Sequence, residues 1–93
     1  MVIGVLHMQL AIREAGSLKD KRRVLKSLRD RIRNDFNVSI SEVDAQDRRR
    51  SATLAVALVT GSRAFADQVM AKIVTRVRRT AGAELVHYET EIL

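Results

Sequence analysis

Two histidines and a glutamate are the side chains of this sequence whose types first suggest metal or acid–base chemistry. His7 lies in an apolar N-terminal stretch, and His87 lies two residues before Glu89 near the C-terminus. Imidazole and carboxylate groups bind transition metals and exchange protons near neutral pH. Two histidines without a firm third ligand are more typical of an exposed polar pair, so we predict no metal site from them.

A second candidate group consists of the carboxylates Glu42, Asp44 and Asp47, which are the ligand type that hard cations prefer. The arginines at 48–50 follow directly and compete for the same oxygens, so local salt bridges are the expected arrangement. The chain has no cysteine, which excludes disulfides, thiolate metal sites and a catalytic thiol. It also has no glycine-rich phosphate motif and no recognisable triad order. We therefore predict no catalytic residue, no metal and no cofactor.

Basic residues are the most distinctive feature of the composition. Lysine and arginine number 17 against 11 acidic residues, and 13 of the 17 are arginine, which binds phosphate in a bidentate manner. Residues 17–35 and 62–81, which we predict to be helical, together carry a net charge of +9, and the rest of the chain carries −3. The charge is therefore concentrated on the predicted helices.

Five basic residues of the first predicted helix recur at intervals of three and four, which predicts that they line one solvent-facing ridge of the helix. These residues are Lys19, Arg22, Lys26, Arg29 and Arg33. Arg48, Arg49 and Arg50 form a second cluster in a polar loop. We interpret both clusters as candidate nucleic-acid-binding residues. Two alternatives stay open: a solvated helix face in a heat-adapted chain without proline or cysteine, and a surface for an acidic protein partner.

Hydrophobic periodicity predicts six elements. Apolar residues alternate from Val2 to Ile12, which is typical of a strand. A capping-box pattern at residues 17–20 predicts a helix from Leu18 to Asn34 or Asp35. Further periodic segments predict a strand at 36–43, with a bulge near Ser41 or Glu42, and a central strand at 53–59. They also predict a helix at 62–81 that closes at Gly82, followed by a strand at 86–92.

This order of elements predicts a single α+β domain over residues 1–93 with the ferredoxin-like βαββαβ fold. We expect an antiparallel four-stranded sheet of order 4-1-3-2 with both helices on one face. The opposite, open face would then carry apolar residues that need a partner. The candidate interface residues are Ile3, Val5, Ala55, Ala57 and Leu85, joined by Val59.

Three segments give the chain a resemblance to the YlxP-like family of small bacterial proteins. These are Ser17–Arg23 (SLKDKRR), Asn37–Asp44 (NVSISEVD) and Glu89–Ile92 (ETEI). The resemblance spans essentially the whole chain and implies a ferredoxin-like fold and a link to ribosomes, but no catalytic residue. It also implies a bulky aromatic residue in the stretch where this chain has Arg48–Arg50.

We therefore expect a non-catalytic, RNA- or ribosome-associated module. The alternative is an oligomerising or regulatory domain whose open sheet face pairs with a second copy or with another protein. The apolar opening of the chain lacks a preceding basic region and is too short to span a membrane, so we expect a cytoplasmic protein with no membrane partner.

Overall fold

The computed structural model describes all 93 residues. In chain order, the elements are β1 (Val2–Ala11), α1 (Leu18–Asp35), β2 (Ser39–Asp44), β3 (Ser51–Thr60), α2 (Arg63–Arg78) and β4 (Glu84–Ile92). The strands form one antiparallel sheet in the order β2-β3-β1-β4, and both helices cover one of its faces. This is the ferredoxin-like arrangement, and the predicted strand order is confirmed.

The core lies between the sheet and the two helices. Residues of β1 at alternate positions, such as Leu6 and Met8, are fully buried and lie opposite Val56 and Leu54 of β3. Gly4 continues this buried row, and a Cβ atom there would come within 3.4 Å of the Cβ of Ala66 in α2. The missing side chain therefore lets α2 pack close to the sheet.

The first helix begins and ends where its sequence predicts. The Ser17 hydroxyl accepts a hydrogen bond from the Asp20 amide at 3.1 Å, and the Asp20 carboxylate accepts one from the Gly16 amide at 3.0 Å. The first bond is the N-cap bond of the predicted capping box and satisfies an amide that a helix N-terminus leaves free. The second reaches the amide of Gly16, one residue before the cap, rather than that of Ser17. Neither helix of the protein has the length and apolarity needed to cross a membrane.

Two predicted boundaries are wrong by three residues, and the others lie within two residues of the prediction. The second strand begins at Ser39 rather than at Phe36, because Phe36 is the C-terminal cap of α1. The second helix ends at Arg78, because the Thr80 hydroxyl bonds to the Arg76 carbonyl and the backbone turns there. Gly82 has a φ of +84°, so it serves the turn into β4 rather than the end of the helix.

Both edge strands contain a bulge. In β2 the pairing with β3 shifts between Glu42 and Asp44, so Val43 is the extra residue, next to the predicted position. In β4 the pairing with β1 shifts between residues 9 and 10, and Val86 is the extra residue. The sequence did not predict this second bulge.

The bulge in β4 corrects one predicted interface residue. Leu85 lies opposite the buried Leu10 and packs against the core, on the helix side of the sheet. Its neighbour Val86 is 58% exposed, whereas the predicted place of Leu85 on the open face would put Val86 on the core face. An extra residue in a strand reverses the faces of the residues beyond it, which accounts for the exchange.

Candidate functional site

The five regularly spaced basic residues of α1 lie on one side of the helix. At about 100° per residue they fall within an arc of about 80°, centred roughly 105° from the buried stripe. They therefore lie on one flank of α1, from which Arg33 reaches a carbonyl of β2, and not on the outermost ridge that the spacing predicted. Lys19, Arg22, Lys26 and Arg33 are exposed, and Arg29 is half-buried.

The five side chains differ in the hydrogen bonds and ion pairs that they form with neighbouring groups. Lys26 donates to the Asp30 carboxylate at 2.7 Å, and Arg33 donates to the Ile40 carbonyl of β2 at 2.7 Å. Arg29 has a buried Nε without a hydrogen-bond partner. Lys19 and Arg22 are exposed and have no carboxylate within ion-pair distance. Some of these cations are thus fixed in place, while others are free to contact a ligand.

Asp30 is the carboxylate nearest to these cations. The hydrogen bond from Lys26 is the main reason that the pKa of Asp30 is lowered; desolvation opposes it, and the charges of Lys26, Arg33 and Arg29 add to the lowering. Asp30 is therefore ionised at neutral pH and offsets part of the local positive charge.

The β2–β3 loop adds three exposed arginines. Arg48 and Arg49 have no carboxylate within ion-pair distance, and the Arg50 side chain donates to the Ala15 carbonyl at 3.3 Å. The salt bridges expected between these arginines and the nearby carboxylates do not form. Instead, Asp44 caps the Ala45 amide at 2.7 Å, and Glu42 pairs with a lysine of α1.

That lysine is Lys21, whose role the sequence did not reveal. It is 1% exposed, and its Nζ lies 2.8 Å from Glu42 Oε2, 2.7 Å from the Ala45 carbonyl and 2.6 Å from the Arg48 carbonyl. The Glu42 oxygen lies off the hydrogen-bonding direction, so this contact is an ion pair rather than a well-directed hydrogen bond. Lys21 thus connects the β2–β3 loop to the beginning of α1.

A signal for this pair exists in the sequence. Lys21 lies three residues after Leu18 and four before Leu25, in the phase of the buried stripe of α1. Glu42 is in phase with the buried Ile40 of β2. Opposite charges at two core-facing positions on neighbouring elements indicate a buried ion pair, because a lone buried charge is costly.

We call the eight residues Lys19, Arg22, Lys26, Arg29, Arg33, Arg48, Arg49 and Arg50 the basic surface. Its two parts come from α1 and from the β2–β3 loop, and Lys21 joins them. Outside the basic surface, α2 and its C-cap carry the exposed residues Lys72 and Arg79, on either side of Arg76. The Arg76 guanidinium already has two partners. It forms an ion pair with Asp35, and its Cζ lies 5.6 Å from the centre of the Phe36 ring.

Comparison with known proteins assigns the chain to a family. Residues 3–90 match the family model described as "Protein of unknown function (DUF503)". The chain belongs to the DUF503 family. A curated relative, "Uncharacterized protein YlxP" of Bacillus subtilis (strain 168), is 39% identical over 72 residues, which cover 77% of this chain and 78% of the relative. The resemblance stated from the sequence is therefore confirmed.

Among solved structures, this DUF503 protein is similar to "De novo designed protein Foldit4". The TM-score is 0.57 at 10% sequence identity, with 100% of this chain and 97% of the other covered. At this low identity the likeness concerns the fold alone.

The histidines of this DUF503 protein lie on neighbouring strands but do not form a ligand set. His7 lies opposite Glu89, and His87 lies opposite Gln9, all on the open sheet face. His87 Nε2 is 3.2 Å from Glu89 Oε1, which makes a local polar pair. No group of three His, Cys, Asp or Glu side chains in the structure is placed to bind a metal ion.

The open sheet face carries four of the five predicted interface residues. Ile3, Val5 and Ala55 are half-buried and Ala57 is exposed, and Val59, which lies opposite Ile3, is 69% exposed. Glu91 flanks this patch on β4, and Ser39 flanks it on β2. The apolar patch therefore covers one part of the open face, on the side of the sheet away from the helices.

Proposed function

We propose that this protein is a non-catalytic binding module that contacts the phosphate backbone of structured RNA through the basic surface. The observation that supports the proposal is that Lys21 of α1 binds two carbonyls of the β2–β3 loop, which holds the loop with its three arginines beside the helix that carries the other cations. Each cation that neutralises a phosphate releases a condensed counterion, which favours binding at low salt.

The geometry favours RNA over DNA. A helix that reads DNA enters the major groove with its side chains, which requires a helix that protrudes from the protein. Here α1 is packed on the sheet and approached by the β2–β3 loop, so only part of its circumference is free. A-form RNA is recognised by its shape and by phosphate and 2′-hydroxyl contacts, without helix insertion. The aromatic content of 3% supplies few stacking surfaces, which further favours backbone contacts over base recognition.

The proposal is tested by the salt dependence of RNA binding. A labelled, structured fragment of ribosomal RNA is titrated with the protein, and the association constant is measured by fluorescence anisotropy at several KCl concentrations. The triple variant Lys19→Gln, Arg22→Gln, Lys26→Gln should reduce the slope of log K against log [KCl] by about two to three, because three phosphate contacts are removed. Circular dichroism verifies that the variant is folded.

The matched control removes the same charge from α2, in the triple variant Arg63→Gln, Lys72→Gln, Arg79→Gln. These residues are exposed and lie outside the basic surface. The control should retain most of the affinity. Equal binding by the wild type and the α1 variant, or an equal loss in both variants, would contradict the proposal, since the effect would then be absent or due to net charge alone.

A second candidate function is self-association through the open sheet face. The observation that favours it is the exposed Val59 beside Ile3, Val5 and Ala57 on a face that no helix covers. This patch and the basic surface lie on different faces of the molecule, so one protein can use both.

A further inference from the structure

Lys21 occupies a position that normally holds an apolar residue. It lies within the buried stripe of α1, together with Leu25, Leu28 and Ile32, and its side chain is 1% exposed. Its ammonium group has three N–H bonds and three oxygen neighbours: Glu42 Oε2, the Ala45 carbonyl and the Arg48 carbonyl. Two of these oxygens, the carbonyls of the β2–β3 loop, accept hydrogen bonds from Nζ, and the third lies at ion-pair distance.

The other hydrogen bonds of the β2–β3 loop are local or lie at its ends: Asp44 accepts from the Ala45 amide, Gln46 Nε2 donates to the Glu42 carbonyl, and Arg50 Nε donates to the Ala15 carbonyl. The Arg48 amide donates to the Ala45 carbonyl at 3.1 Å, and the Ile12 amide donates to the Arg50 carbonyl at 2.9 Å. Ala45 has a φ of +59°, a left-handed conformation that is unfavourable for alanine. Its carbonyl is one of the two that Lys21 holds, so the contact with Lys21 fixes the loop at its strained residue.

We propose that Lys21 is the positioning residue of the basic surface, and that Glu42 is its fixed counter-charge. By holding two carbonyls of the loop, the Lys21 ammonium orients Arg48 and Arg49 toward the same side as the cations of α1. This inference rests on the proposed function, because it assigns Lys21 a role in the same RNA contact. Lys21 itself is buried and does not touch the RNA.

The test removes the loop contact without leaving a buried charge. Loss of Lys21 alone leaves Glu42 unpaired at a mostly buried position, which risks unfolding. The double variant Lys21→Met, Glu42→Leu replaces the pair with apolar residues and keeps the net charge. Such replacements of buried ion pairs are often neutral or stabilising, so the variant should fold. The matched control is Arg76→Met, Asp35→Leu, which removes the ion pair between α1 and α2 and also conserves net charge.

Two measurements are made on each variant. Hydrogen exchange monitors the amides of Arg48 and Ile12, which report the order of the loop without any RNA. The salt dependence of RNA binding reports phosphate contacts. In Lys21→Met, Glu42→Leu we expect faster exchange at Arg48, a slope smaller by about two, and an affinity reduced about tenfold near 100 mM salt, because Arg48 and Arg49 lose their orientation. The control should leave all three unchanged.

A combination of variants separates positioning from a general loss of stability. When Arg48→Gln and Arg49→Gln are already present, the Lys21→Met, Glu42→Leu change should cause no further loss of affinity. An additive loss would overturn the positioning role, as would unchanged exchange at Arg48. If the wild type and the Lys21→Met, Glu42→Leu variant bind RNA equally tightly, the positioning role of Lys21 is refuted but the proposed function is not. If the wild type shows no salt-dependent RNA binding, the proposed function itself is refuted.

Discussion

Asp30 is a single residue that sets how much positive charge the basic surface presents. Its carboxylate binds Lys26 at 2.7 Å and lies 3.9 Å from Arg33. The variant Asp30→Asn removes one negative charge and releases Lys26, so RNA affinity should rise a few-fold and the salt dependence should steepen by about one contact. Anisotropy titrations across salt measure both quantities.

The same variant has a pH-dependent effect on stability. The pKa of Asp30 is lowered by its partners, so the stabilising contribution exists above the unfolded-state pKa and disappears as pH falls through the folded-state pKa. Asp30→Asn should therefore melt slightly below the wild type at neutral pH and together with it in strong acid. The control Asp67→Asn removes the same charge from an exposed position on α2. An equal gain of RNA affinity in this control would mean that net charge, and not the position of Asp30, is responsible.

At the residue scale, the sequence was sufficient for the exposed cations but not for their anchors. The spacing of Lys19, Arg22 and Lys26 determines which side of the helix they share, because helical geometry is local. The contacts of Lys21 depend on where the β2–β3 loop passes, which involves residues more than 20 positions away. The residue pattern of α1 alone does not show where the β2–β3 loop passes.

At the element scale, the N-terminus of α1 is the boundary that local chemistry determines most fully. The Ser17 hydroxyl accepts a hydrogen bond of 3.1 Å from the Asp20 amide. Ser17→Ala should lower the free energy of unfolding by about 1 kcal/mol, because the amide loses its acceptor. Urea denaturation measures the change. Ser17→Asn, which retains a capping oxygen, should stay close to the wild type, and an equal loss in both variants would show that the cap is not the cause.

Strand faces were less predictable than helix ends, and the two bulges show why. In β2, Ile40 and Val43 are apolar but out of phase, so the sequence itself indicates an extra residue. In β4, Leu85 and Val86 are adjacent apolar residues, and simple alternation accommodates either of them on the core face. The pairing with β1 decides the outcome and places Leu85 against the core. A register set by a partner strand cannot be read from one strand alone.

At the scale of the whole molecule, the order of the elements determines the separation of charge. Right-handed crossovers place both helices on one face of the sheet, and this face therefore collects most of the basic residues. The placement of both helices on one face was predictable from the sequence, since six periodic segments in this order have few alternative topologies. Whether a partner covers the open face was not predictable, because the surface of a partner is not encoded in the pattern of this chain.

The size of the open face limits how tightly a second copy can bind to it. The four strands contain 35 residues; at about 4.8 Å between strands and about 3.4 Å per residue they span roughly 570 Å², and the apolar patch is only part of that area. A stable interface buries about 800 Å² on each partner, so self-association through this face should be weak and dependent on concentration.

Sedimentation equilibrium over a wide concentration range should therefore show a monomer–dimer equilibrium rather than a fixed dimer. Val59 is 69% exposed in the patch, and Val59→Lys should shift the equilibrium to monomer through charge repulsion between the two copies. Val43→Lys is the control, since Val43 is also an exposed valine, 49% accessible, but lies at the bulge of the β2 edge strand. A wild type that remains monomeric at millimolar concentration, or an equal effect of both substitutions, would exclude this patch as the contact. RNA affinity at low protein concentration should be similar in Val59→Lys and the control, because the patch and the basic surface lie on different faces of the molecule.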